Sequence, residues 1–175
     1  MDQDAMSAAI EDCGYHAAIA SEEPDGRLAR ELVPARRLDG DLVEITGSPA
    51  LVMGCAAGDV LRVEESGRFE VVRRGPNVCV QAFREPAFSG DDVERLAEGL
   101  RDLGGVVEAP PHRRFLVATV PSAAGRSSID ARVHHWAATV SGVYWQYAAA
   151  EHLPVKEERP GADASEASSQ LDLFS

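Results

Sequence analysis

His112, His134, His135 and His152 are the side chains best suited to hold a metal or pass a proton, and Cys13, Cys55 and Cys79 those best suited to act as nucleophiles. Their spacing argues against both uses. His134 and His135 are adjacent in a helical segment, so they point to different faces and do not readily share an ion. The three cysteines are odd in number and widely spaced, which fits neither a disulfide framework nor a zinc site. Cys55 and Cys79 have no neighbouring His or Lys to draw the thiol pKa down, so buried, inert thiols are expected. The chain carries no Gly-x-x-x-x-Gly-Lys phosphate loop, no Gly-x-Ser-x-Gly elbow and no His-Glu-x-x-His helix. The expectation is a protein without catalytic residues, metal or cofactor. Trp136, Tyr144, Trp145 and Tyr147 offer either a ligand platform or core material. Closure of the core between the last helix and the last strand by Trp136 and Trp145 is the expected role.

The residues with the clearest binding chemistry are the last ones, Gln170, Leu171, Asp172, Leu173 and Phe174. Before them, Lys156 to Gly161 and Ala162 to Ser169 contain no aromatic or β-branched residue, the composition of a disordered linker. Large apolar groups thus reappear where a packed domain no longer needs them. Burying Leu173 and Phe174 contributes roughly 1.5 to 3 kcal/mol each, and the Gln170 amide both donates and accepts hydrogen bonds. The alternation of Leu171 and Leu173 suits an extended peptide in a groove.

Gln170-Leu171-Asp172-Leu173-Phe174 resembles, at all five positions, the pentapeptide Gln-Leu-(Ser or Asp)-Leu-Phe by which bacterial replication and repair proteins dock onto the β subunit of DNA polymerase, the sliding clamp. The resemblance implies that Leu173 and Phe174 fill the deep hydrophobic pocket of the clamp. Leu171 packs at its margin, Gln170 hydrogen-bonds in the adjoining groove, and Asp172 occupies the tolerant position. It also implies a cytoplasmic protein brought to the nucleoid by the clamp, with a possible further protein partner for the body.

The formal net charge of −12 repels phosphates, so direct nucleic-acid binding is not expected. His112-Arg113-Arg114 follows Pro110-Pro111 and reads as a solvated hairpin tip. No apolar run approaches the roughly 20 residues that span a bilayer, and Met1-Asp2-Gln3-Asp4 lacks the basic start of an export signal. A soluble, unexported protein is expected.

The elements that must carry these residues follow from periodicity. Residues 1–27 form an ambiguous segment in which Tyr15 to Ala20 has strand character, broken by Ser21 to Gly26. Residues 28–76 hold short β-type runs, Leu42 to Thr46, Val60 to Val63 and Phe69 to Val72, suggesting a small curled antiparallel sheet. Residues 77–153 read as βαββαβ. Strand Val78 to Phe83 comes first, and a helix then starts at Ser89 and Asp92 with Val93, Leu96, Ala97, Leu100 and Leu103 on one face, stopped by Gly104-Gly105. A hairpin of Val106-Val107 and Phe115 to Val120 follows, then a helix starting at Ser127 and Asp130, and a final strand, Val143 to Tyr147. The expected class is α+β: the curled sheet, a ferredoxin-like half, a linker over 154–169 and the motif at 170–175.

Glu31 with Ala35, Pro49, Gly58-Asp59-Val60, Gly104 to Glu108, Val120-Pro121 and Trp145 with Tyr147 resemble the pattern of a bacterial family, domain of unknown function 4265. That pattern has an aromatic where this chain has Pro34, and an Asn and a Phe where it has Gly47 and Ala50. The resemblance implies the architecture just given and no activity. Two other readings follow from the residues: an acidic immunity or antitoxin-like protein masking a basic partner, and a small-molecule binder using the aromatic cluster and histidines.

Overall fold

The first sheet is a meander whose five strands stand in chain order and pair antiparallel throughout: β1 (His16–Glu22), β2 (Leu28–Arg37), β3 (Leu42–Ile45), β4 (Val60–Val63) and β5 (Phe69–Arg73). It belongs to a computed structural model that describes residues 14–149. The linker and motif expected over 154–175 lie outside the described residues.

The sheet begins earlier than the composition suggested. β1 pairs along its whole length with β2, from His16↔Pro34 to Glu22↔Leu28, so part of the ambiguous first segment is an edge strand. The break expected at Ser21 to Gly26 comes two residues later: Ser21 and Glu22 still pair with Ala29 and Leu28, and the tight hairpin turn that follows is closed by Glu23 N–H on Arg27 O at 2.7 Å. β2 was hidden because only Val33 and Ala35 of its ten residues are buried, between Arg30, Glu31, Arg36 and Arg37. Pro34 is tolerated because it sits at a handover: pairing with β1 ends at His16↔Pro34 and pairing with β3 begins at Ala35↔Ile45. Gly47 lies against it; a Cβ there would stand 3.0 Å from Pro34 Cδ.

The sheet curls. Gly67, at φ +87° in the β4–β5 turn, presents its carbonyl to Ala20 N–H at 2.8 Å and would place a Cβ 3.3 Å from Ala18 O. Only glycine joins the two edges so closely. The concave face buries Ile19, Val33, Val43, Ile45 and Leu61, with Val52 and Cys55 from the β3–β4 loop.

The second sheet contains β6 (Asn77–Phe83), β7 (Val106–Glu108), β8 (Phe115–Pro121) and β9 (Tyr144–Tyr147), ordered β7-β8-β6-β9 with every neighbour antiparallel. Helices α1 (Gly90–Arg101) and α2 (Arg126–Ala137) pack on one face. Ser89 and Asp92 start α1 as expected, through a reciprocal capping box: Ser89 Oγ accepts from Asp92 N–H at 3.0 Å and Asp92 Oδ2 from Ser89 N–H at 2.9 Å. Gly104 and Gly105 end it, the latter donating to Leu100 O at 2.9 Å. The second helix departs from its expected start. It begins at Arg126 behind a short 3₁₀ turn, Ser122–Ala124, with no side-chain cap, and Ser127 lies inside it. Asp130 is a partner of Tyr147 instead of a cap. Val78, Val80, Leu96, Leu100, Leu116, Val120, Ile129, Val133 and Trp136 fill the layer between sheet and helices. The architecture is mixed α+β, with two antiparallel sheets and two helices.

Candidate functional site

Alternation sends every second residue of β6, β8 and β9 to the face that the helices leave open. Register then stacks those residues in three rows across the sheet: Thr119 and Cys79 with Ala148 beside them; Val117, Gln81 and Gln146; and Phe115, Phe83 and Tyr144. The β3–β4 loop covers the first two. Ser48 Oγ accepts from Thr119 Oγ1 at 2.7 Å, Pro49 O accepts from Gln81 Nε2 at 3.0 Å, and Val52 O accepts from the same amide at 3.1 Å. Ala50, Ala56, Cys79, Val117 and Ala148 form the apolar seam between the two sheets.

Cover stops at the third row. Tyr144 is 62% exposed, and Phe83 and Phe115 are half-buried, with the Phe83 and Tyr144 ring centroids 6.4 Å apart. Beside Phe83 a cleft of ≈ 430 Å³ runs to Leu51, Met53, Gln146 and the Glu23–Asp25 turn. On its other side a second cleft of ≈ 380 Å³ runs to Arg84, Arg114, Phe115 and Tyr144. Phe83 lines both clefts, which adjoin there as an open groove with Glu23 and Asp25 at one end and Arg84, Glu85 and Arg114 at the other.

A polar chain holds the groove in shape. Tyr144 OH donates to Gln146 Oε1 at 3.1 Å; Gln146 Nε2 donates to Gln81 Oε1 at 3.2 Å; and Gln81, fully buried, donates onward to Pro49 O and Val52 O. Gln81 is thereby satisfied in the interior, as a buried amide must be. The row presents an open apolar surface, and the polar groups around it suit the binding of a side chain or a peptide.

The expected aromatic cluster divides between the two faces. Trp136 is buried and donates from Nε1 to Asp92 O at 2.8 Å; Trp145 and Tyr147 lie under the helices, as core closure requires; Tyr144 faces the other way. His134 stacks edge-on against Trp145 at 4.9 Å, and His112 against Phe115 at 5.0 Å. Among the described residues, no three metal-ligating side chains converge. Burial pushes the Cys79 thiol up to about 12, and burial reinforced by Asp59 raises Cys55 further, so both are held as thiols. Burial and the hydrogen bond to Asp130 at 2.8 Å likewise raise the Tyr147 hydroxyl. Phe83 and Phe115, which make the row, were not singled out from sequence. Their signal was available only after registering both strands, where each stands out of phase with the buried Ala82 and Leu116.

The residues that carried the family resemblance hold the scaffold. The Glu31 carboxylate accepts from Ala50, Leu51 and Val52 N–H at 2.9 to 3.3 Å, pinning the covering loop to β2. Asp59, fully buried, accepts from Ala56 N–H at 3.0 Å, Gly75 N–H at 2.7 Å and Arg74 Nη1 at 3.0 Å, fastening the passage between the sheets.

These features define an α+β domain in which one sheet lends a loop to cover most of the other's open face. The chain belongs to the DUF4265 family, a domain of unknown function, whose family model matches residues 31–142. A crystal structure of a hypothetical protein from Neisseria gonorrhoeae shares the fold with a TM-score of 0.60 at 12% identity, over 79% of this chain and 94% of that one. No curated protein matches this chain. Among the described residues, no helix is long and apolar enough to cross a membrane.

Proposed function

We propose that this protein is a non-enzymatic accessory factor of DNA replication or repair that docks on the bacterial sliding clamp through Gln170, Leu171, Asp172, Leu173 and Phe174. The reading is carried by the agreement of that run with the clamp-binding pentapeptide at all five positions. Leu173 and Phe174 supply the buried anchors, Leu171 the margin and Gln170 the hydrogen bonds. The net charge of −12 supports an indirect route to DNA, through the clamp, over direct phosphate contact.

The body is the cargo or the obstacle. Its second half is read as a ferredoxin-like βαββαβ unit, which the order β7-β8-β6-β9 with antiparallel neighbours supports. The uncovered row of Phe83, Phe115 and Tyr144 suits a second protein contact. Recruitment of a partner and occlusion of other clamp ligands share the same anchor. Any ligand saturating the shared pocket displaces partners that carry the same motif.

The test is titration of purified sliding clamp with the full chain, with a chain ending at Ser169, and with a Leu173→Ala, Phe174→Ala double variant. The full chain is expected to bind in the micromolar range, near −8 kcal/mol, and both altered chains to lose at least tenfold. Equal binding by all three, or by none, sinks the clamp reading.

A further inference from the structure

We infer that the groove around Phe83 and Tyr144 is an internal docking site for the chain's own segment Gln170–Ser175, so that the anchor is held on the body until a competing receptor draws it away. The proposal deepens the clamp reading, since it gives that anchor a closed and an open state.

The groove and the segment agree in chemistry. The segment alternates apolar and polar side chains, Leu171, Asp172, Leu173, and ends on Phe174 and Ser175. An extended peptide with that pattern presents Leu171 and Leu173 to one side. The groove offers the Phe83, Phe115 and Tyr144 rings as a floor and half-exposed Leu51 as a wall. Arg114 stands at its basic end without an ion pair to a described carboxylate, close enough to the floor to receive Asp172. Arg84 on the same rim is already engaged with Asp92 at 3.3 Å, and Glu85 there disfavours an acidic segment, so Arg114 is the distinguishing charge.

The tether reaches. The last described residue, Ala149, lies five residues beyond Tyr144, roughly 17 Å at strand rise. Residues 150–169 separate Ala149 from Gln170; a flexible coil of about 20 residues has a root-mean-square reach of about 25 Å. The reach exceeds the gap by a modest margin, the condition for a high effective concentration, on the order of millimolar. An intrinsic affinity of about 0.1 to 1 mM then leaves the closed form populated at about one to ten times the open form. Clamp affinity falls by a factor of about 2 to 10 relative to a permanently open chain.

Two measurements on the full chain test this. In amide NMR spectra without clamp, the Leu173→Ala, Phe174→Ala double variant is expected to shift resonances of Leu51, Phe83, Phe115 and Tyr144 at any protein concentration. Shifts confined to residues beyond about Ser165, or shifts at the groove that vanish on tenfold dilution, overturn the proposal, the latter by assigning the contact to a second copy. In clamp titrations, Tyr144→Ala and Arg114→Glu, both on exposed side chains, are expected to bind about 2- to 10-fold more tightly than the unaltered chain; unchanged affinity overturns it. The two readings fail separately. Groove shifts without clamp binding leave the internal contact standing and remove the clamp. Clamp binding with a silent groove does the reverse.

Discussion

At the scale of the residue, the passage between the sheets rests on one buried acceptor, Asp59. Asp59 has no contact with water, and each of its oxygens is spoken for: Oδ1 by Gly75 N–H, Oδ2 by Ala56 N–H and Arg74. A carboxylate is tolerated in the interior when it is paired and hydrogen-bonded in this way. Asp59→Ala removes the acceptor while leaving two amides and a guanidinium behind, so a loss of about 3 kcal/mol is expected from the stranded donors. Asp59→Asn keeps one carbonyl oxygen and loses less. Urea unfolding followed by tryptophan fluorescence should order the three proteins unaltered, Asn, Ala. An Ala variant as stable as the unaltered protein would show that water enters and replaces the carboxylate.

At the scale of the element, the capping box that starts α1 carries a pH dependence. Burial alone would raise the Asp92 carboxyl, but the Ser89 backbone N–H, the Ser89 side chain and the Arg95 guanidinium outweigh it and hold it below the ordinary value of 3.8. A depressed folded-state pKa means the carboxylate's contribution is fully present above the ordinary pKa and is lost as pH falls through the folded one. Asp92→Ala therefore costs about 2 kcal/mol at neutral pH, from the lost cap and the lost partner of Arg95. That difference shrinks as pH falls below about 4. Denaturation midpoints of the variant and the unaltered protein at pH 7 and pH 3 measure it; a constant gap would show that the cap acts without its charge. α1 was legible because its signals are local: a capping box, one apolar stripe and a double-glycine stop. β2 was not legible, because its burial comes from sheet partners on both sides and shows only at Val33 and Ala35. The start of α2 was misplaced for a related reason: Ser127 and Asp130 have capping chemistry, yet Tyr147, 17 residues away, claims the Asp130 oxygen. The groove lay beyond reading for the same cause, since Phe83, Phe115 and Tyr144 become neighbours only through register.

At the scale of the whole molecule, the question is whether the two sheets unfold together. The covering loop belongs in sequence to the first sheet and in space to the second: Val52 and Cys55 pack in the first core, while Ala50 and Ala56 pack with Cys79 and Val117. At the passage between the sheets, a Cβ at Gly75 would collide with the Gly58 backbone, so the two segments touch with no side chain between them. Neither half can open without exposing the seam of the other, and one cooperative transition is expected. The thiols report it. Cys55 sits in the first core and Cys79 in the seam, both fully buried, with Cys79 held near 12 and Cys55 higher. At pH 8 neither presents a thiolate while folded, and both acquire ordinary reactivity on unfolding. With Cys13→Ser removing the remaining thiol, Cys55→Ser and Cys79→Ser each leave one probe. Across a urea titration, labelling of the single remaining thiol by a disulfide reagent should rise at the same urea concentration as the loss of tryptophan fluorescence within each variant. Labelling of Cys55 at a distinctly lower concentration than that fluorescence change, which reports Trp136 and Trp145 in the second half, would show that the first sheet opens alone. The covering loop would then be a detachable lid, and not the fixed wall of the groove.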